Sequence, residues 1–188
     1  MSAASLLQTV VAALDDAGIP HMLVGSFASM SHGAPRATQD IDMVIDPSPE
    51  ALARFVASFD PDRYYVEPST QEALAARDQF KIIDFTTAWK VDLIIRKDRP
   101  FSRSEFERRL PARALDVDLY LATAEDTVLA KLEWAAMGGS DRQVADAATV
   151  LTVGAGQLDE KYLGHWAAEL GVSDLLARAR RSDDQRST

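Results

Sequence analysis

The chain contains no cysteine, which removes disulfides, thiolate metal sites and cysteine nucleophiles together. Histidine is scarce: His21, His32 and His165 are the only three, and they do not cluster. Positive charge is in deficit. Twenty Lys and Arg face 29 Asp and Glu, and the formal charge of −9 argues against a general nucleic-acid coat while leaving room for a local basic site. No apolar run approaches the roughly 18 residues that a membrane span requires. The N-terminal stretch MSAASLLQTVVAALDDAGIP has no basic lead-in and is cut short by Asp15 and Asp16, so it reads as a helix of the folded protein and not as a secretion signal. These absences leave a cytoplasmic protein without a membrane partner as the expectation.

What is present suits one globular domain, or one domain with a helical appendage: 188 residues, 47% of them hydrophobic. Leu6, Leu7, Val10, Val11 and Leu14 recur at helical spacing, and Gly18 and Pro20 end that helix. HMLVG reads as a strand and SFASMSHG as two helical turns closed by Gly33. DIDMVID is a strand, and Ser48–Pro49 opens a helix with Leu52, Phe55, Val56 and Phe59 as its stripe. YYVEP is a strand, STQEALAAR a short helix, and FKIIDF and KVDLIIR a strand pair around TTAW. RPFSRSEFERRL is helical in its second half, and ALDVDLYLA is extended, with Asp116 and Asp118 at a strand end or turn. From Thr123 onward everything is helical. Thr123 with Asp126 and Ser140 with Gln143 are N-cap signatures, and Val144, Ala147, Ala148 and Leu151 form one face. The composition shift therefore divides the chain into a β/α region over 1–122, a helical region over 123–181 and a disordered tail over 182–188.

The chemistry is concentrated in VGSFASMSHGAPRATQDIDMVID, from Val24 to Asp46. Side chains alternate along a strand, so Asp40 and Asp42 share one face while Ile41 and Met43 take the other. Two carboxylates this close repel unless something compensates them, and a hard divalent cation does so. Asp92, on the apolar strand KVDLII, supplies a third acid, with Asp84 in KIIDF as a rival near a strand end. Three strand-borne acids suit two-metal phosphoryl transfer with Mg²⁺ or Mn²⁺. Gly25–Ser26 sits between a strand and a helix, where backbone N–H groups and a small residue let a phosphate approach, and Arg36 on the following loop adds a phosphate contact. Taken singly, a Gly-Ser at a turn and a D-x-D at a strand end are structural; the specificity lies in the combination. Lys131 alone reads as a lysine snorkelling beside Val128 and Leu132, Asp146 as a helix-surface acid, His32 as a turn residue, and Trp89, Trp134 and Trp166 as packing residues.

This stretch resembles the signature of the DNA polymerase β-type nucleotidyltransferase superfamily: Gly-Ser, two aspartates one residue apart, and a third acid on a later strand. The PRATQDID version resembles the small bacterial branch that includes the abortive-infection (AbiEii-like) nucleotidyltransferase toxins. The resemblance implies an α/β (α+β) nucleotidyltransferase fold, a small mixed sheet flanked by helices with a C-terminal helical bundle closing the cleft. It implies an enzyme that moves a nucleoside monophosphate from a nucleoside triphosphate to an acceptor hydroxyl. Asp40, Asp42 and Asp92 would be the metal ligands, and Gly25, Ser26 and Arg36 would lie at the nucleotide. By the same resemblance Lys131, Arg142 and Asp146 complete the site from the helices, with Lys131 neutralising phosphate charge. The acceptor stays open among RNA or tRNA ends, proteins and small molecules, and a toxin would have an antitoxin protein as partner. The competing expectation is a non-catalytic or partner-regulated nucleotide-binding module, against which the presence of all three acids counts.

Overall fold

The computed structural model describes residues 3–34, 38 and 40–184. Arg36, singled out above as a phosphate ligand, lies outside them. The chain divides into two compact units, Met1–Phe27 with Ala37–Leu121, and Ala28–Arg36 with Ala122–Thr188. The short helix after the first strand thus begins in one unit and ends in the other.

The first unit is built on a seven-stranded mixed sheet. Its strands are β1 (His21–Val24), β2 (Asp40–Ile45), β3 (Tyr64–Val66), β4 (Gln79–Asp84), β5 (Lys90–Ile95), β6 (Leu110–Ala114) and β7 (Val117–Leu121), in the spatial order β3-β4-β5-β2-β1-β7-β6. β2 runs parallel to β5 and β1 parallel to β7; the remaining neighbours are antiparallel. Alternation assigns Ile41, Met43 and Ile45 of β2, Val91, Leu93 and Ile95 of β5, and Phe80 and Ile82 of β4 to one face, and all eight are fully buried. The apolar stripe of α1 (Ala3–Asp16) explains what helps bury the sheet: the helix packs against β5 and β7 and buries Leu6, Leu7, Val10, Val11 and Leu14. Each such side chain removed from water contributes about 1.5–3 kcal/mol. α3 (Pro49–Ala57) begins where Ser48 Oγ accepts from the Ala51 N–H, with proline at the first helical position, and packs on α1 and α4 (Thr70–Ala76). At the C-terminal ends of β2 and β5, Arg96 Nε donates to Asp46 Oδ2 at 2.9 Å, tying the two parallel strands together.

Two segments differ from the sequence reading. RPFSRSEFERRL is helical from its start, because Pro100 opens α5 (Pro100–Glu107) at a position where no N–H is needed. ALDVDLYLA is not one extended run: β6 and β7 form a hairpin with Leu115 and Asp116, both at positive φ (49° and 62°), as its two-residue loop.

The second unit is helical: α6 (Ala124–Gly138), α7 (Asp141–Val153), α8 (Glu160–Glu169) and α9 (Ser173–Asp184) follow the end of α2 (Gly25–Ser31). α9 runs to Asp184, three residues beyond the tail boundary at 181. The start of α6 is a polar junction. Asp126, fully buried, accepts from Thr123 Oγ1 at 2.7 Å and from the Tyr162 hydroxyl at 2.6 Å, and Glu125 Oε1 accepts from the Asp159 N–H at 2.9 Å. His32 Nε2 lies 2.8 Å from the Ala122 carbonyl oxygen. No helix among the described residues is long and apolar enough to cross a membrane.

Candidate active site

The acid face of the sheet opposes the packed one. Register sets its members: Asp42 lies opposite Asp92 on the neighbouring parallel strand, Asp40 opposite Lys90, and Lys81 of β4 opposite Asp92 on its other side. Adjacent strands are about 4.8 Å apart, so these side chains stand as neighbours on one surface. The sequence reading thus placed Asp40 and Asp42 correctly on one face, and the structure brings Asp92 beside them.

Asp84 is elsewhere. It shares the parity of Phe80 and Ile82, opposite to Lys81, and is fully buried. Its Oδ1 accepts from the Thr86 N–H at 2.8 Å and from the Thr86 hydroxyl, and Arg63 Nη2 stands 3.5 Å from Oδ2. Burial works against the charge, but the Thr86 hydrogen bonds and the Arg63 guanidinium more than offset it and hold the carboxyl below the usual aspartate range. Asp84 is a turn anchor, and its strand parity removes it as the third acid of this face.

Gly25 explains why a glycine stands at the end of β1. Its φ is +62°, the left-handed region, and a Cβ there would overlap Asp42 Oδ2 and lie 2.7 Å from Asp42 Cγ. A side chain at 25 would therefore meet both a strained backbone, costing about 1–2 kcal/mol, and the carboxylate of the acid face. Ser26 follows it, buried at the start of α2.

Lys90 had no assigned role in the sequence reading. Its Nζ stands 3.3 Å from Asp40 Oδ1 and 3.6 Å from Asp92 Oδ2. Burial disfavours the ammonium, but Asp92 and Asp40 outweigh it and raise the Lys90 pKa above that of an ordinary lysine. A signal for it existed: in KVDLII the lysine is two residues before the aspartate, so alternation alone puts both on one face. Among the described residues no three histidines or carboxylates are drawn together tightly enough to hold a metal ion as they stand. The donor set nevertheless fits one: three oxygen-bearing acids on one face, two in register on adjacent strands, suit a hard divalent cation.

The helical residues belong to the second unit. Lys131 is not a surface lysine: it is buried, with Nζ 3.0 Å from Asp146 Oδ2 and 3.1 Å from Gln143 Oε1. Asp146 is correspondingly half-buried, with 18% of its side chain exposed, while Arg142 is exposed. The structure thus joins Lys131 to Asp146 across α6 and α7. Trp134, read as a packing residue, is half exposed.

Solved structures resemble the chain over nearly its whole length. The antibiotic-resistance factor ANT(2'')-Ia in solution superposes with a TM-score of 0.57 at 12% identity, over 98% of this chain and 95% of its own. The crystal structure of ANT(2'')-Ia in complex with adenylyl-2''-tobramycin gives 0.56 at 13% identity, over 89% and 95%. An antigenic nucleotidyltransferase-like protein from Paracoccidioides brasiliensis gives 0.52 at 17% identity, over 94% and 91%. At such identities the likeness is one of fold, and the fold is the nucleotidyltransferase one: a mixed α/β sheet unit followed by helices. No family model and no curated protein matches the chain.

Proposed function

We propose that the chain is a metal-dependent nucleotidyltransferase, moving a nucleoside monophosphate from a nucleoside triphosphate to an acceptor hydroxyl with release of pyrophosphate. The observation that supports it best is the in-register pair of Asp42 and Asp92, with Asp40 beside them and Gly25 packed on the Asp42 carboxylate. Asp40, Asp42 and Asp92 would hold Mg²⁺ or Mn²⁺, which when bound neutralises phosphate charge and favours ionisation of the attacking hydroxyl. Gly25 leaves the backbone at the end of β1 open to close approach by a phosphate, and the Ser26 hydroxyl is a hydrogen-bond donor beside it. Asp92 accepts the proton of the acceptor hydroxyl as its oxygen bonds to the α-phosphorus and the bond to pyrophosphate breaks.

The nucleotidyltransferase fold supports the reaction class, and ANT(2'')-Ia with adenylyl-2''-tobramycin supports a small hydroxylated acceptor. The likeness of PRATQDID to the toxin branch supports an RNA end instead, and with it a cytoplasmic toxin held by an antitoxin. One experiment addresses all of these. The protein is incubated with each labelled nucleoside triphosphate, MgCl2 or MnCl2, and separate pools of cell RNA, protein and aminoglycosides. Metal-dependent label transfer to one pool, lost in Asp42→Asn, is the expected outcome. Tight nucleotide binding without transfer to any pool favours the binding-module reading. Nucleotide affinity indifferent to metal, in wild type and Asp42→Asn alike, removes the site.

A further inference from the structure

We infer that Lys90 is the resident counter-cation of the acid face, and that a divalent cation is taken up there only by exchange with its ammonium group. The inference rests on the metal-dependent reading above. Lys90 and Asp92 are two residues apart on β5, so both leave the same face of the sheet, and register sets Lys90 opposite Asp40. The ammonium spans two strands: 3.3 Å to Asp40 Oδ1 on β2 and 3.6 Å to Asp92 Oδ2 on its own strand. It therefore uses oxygens from two of the three acids that a metal would need.

The chemistry of the group suits exchange. Lysine is a point charge on a four-carbon flexible stem, able to leave the carboxylates without moving the strand, whereas arginine would clamp them through its planar fork. With 36% of its side chain exposed, Lys90 has solvent to move into, while Asp92, at 16%, stays behind. Carboxylates on adjacent strands repel one another, and Lys90 places a positive charge between Asp40 of one strand and Asp92 of the next, holding those two side by side. The cost is competition, since ammonium and metal claim the same oxygens. Lys90 thus acts as a positioning residue that sets the threshold for loading.

The test titrates MnCl2 by calorimetry into wild type, Lys90→Met and Lys90→Arg without nucleotide, and measures melting temperatures in chelator and in MnCl2. Lys90→Gln is a second neutral variant should the methionine disturb the strand. Removing one charge in contact with the acids is expected to tighten Mn²⁺ binding about tenfold or more in Lys90→Met. The same variant should melt roughly 2–4 °C lower in chelator and regain more than wild type on adding MnCl2. Lys90→Arg, which keeps the charge, should not tighten Mn²⁺ binding. Neutral variants that bind Mn²⁺ no more tightly than a Mn²⁺-binding wild type overturn the exchange. An unchanged melting temperature in chelator overturns the counter-cation alone, with the metal reading intact. Failure of wild type and neutral variants alike to bind Mn²⁺ overturns the metal reading, and the exchange with it.

Discussion

Asp84 and Asp92 sit on neighbouring antiparallel strands in similar company, KIIDF and KVDLII, yet they do opposite things. Asp84 is sealed in the packed side of the sheet, with Thr86 and Arg63 meeting its charge. Asp92 faces the other way, in register with Asp42, and shares the partly exposed Lys90 with Asp40. The difference is one residue of parity. A carboxylate matched by fixed partners stabilises the fold; one matched by an exchangeable cation remains available for chemistry.

The strongest test of that contrast exchanges the charge at each position. Under the proposed reaction, in which Asp92 accepts the proton, Asp92→Asn should cut nucleotide transfer by about 10²–10⁴-fold while melting near wild type. Asp84→Asn should do the reverse: transfer per folded molecule is retained, and stability falls by about 2–3 kcal/mol because the Arg63 charge loses its buried partner. The two also separate by pH. The folded-state pKa of Asp84 lies below its unfolded value, so its contribution is present above the ordinary aspartate range and is lost as pH falls through the lowered value. Chemical denaturation from pH 7 to pH 3 should therefore show a flatter acid limb for Asp84→Asn than for wild type. Equal acid sensitivity in both would remove Asp84 as an anchor, and normal transfer by Asp92→Asn would remove Asp92 from the site.

Lys131 and Asp146 carry the same question into the helical unit. From residues alone, Lys131→Ala should cost little stability. The buried pair at 3.0 Å changes that: truncating the lysine removes the ammonium from the half-buried Asp146 carboxylate, a loss of about 2–3 kcal/mol. Lys131→Met combined with Asp146→Asn should recover most of it. Transfer measured in that stable double variant then tests the site role that the family resemblance gives the Lys131–Asp146 pair. Loss of transfer at wild-type stability supports the role; full transfer makes the pair structural, like Asp84 with Arg63.

Much of this was legible because the local signals agreed. Leu6 to Leu14 gave a helical stripe, Ser48, Thr123 and Ser140 announced helix starts, and Gly25-Ser26 with Asp40 and Asp42 marked the acid face. Alternation assigns faces within a strand, but it does not say which residue of the next strand stands opposite. The pairing of Asp42 with Asp92 and the exclusion of Asp84 therefore waited for the register. The reading of Lys131 alone as a snorkelling lysine fails because α6 is buried on several sides, including Glu125, Asp126 and Thr127 at its start, so its apolar stripe does not mark the inner limit. Trp134, on the same helix, is half exposed, so its packing role is that of a helix surface and not of the core. The β6–β7 hairpin was missed because its loop is Leu115-Asp116, without the Asn-Gly or Asp-Gly that announces such turns.

That loop yields the smallest prediction, one that leaves both aspartates of the comparison untouched and alters only the scaffold. A two-residue turn with positive φ at both positions suits asparagine and glycine, and leucine bears a penalty of about 1–2 kcal/mol there. Leu115 is also 36% exposed, so little burial is lost by replacing it. Asp116 lies 3.8 Å from Arg113, but at 98% exposure that contact contributes little, and Arg113 keeps Asp118 at 3.6 Å. Leu115→Asn with Asp116→Gly should therefore stabilise the protein by about 1 kcal/mol and raise its melting temperature by roughly 2–4 °C. Transfer rates should not move, because β6 and β7 contribute none of the acids. A melting temperature unchanged or lowered in the double variant would mean that Leu115 is not strained, and the hairpin would need a different account. A changed transfer rate at raised stability would instead show that the acid face senses the far edge of its own sheet.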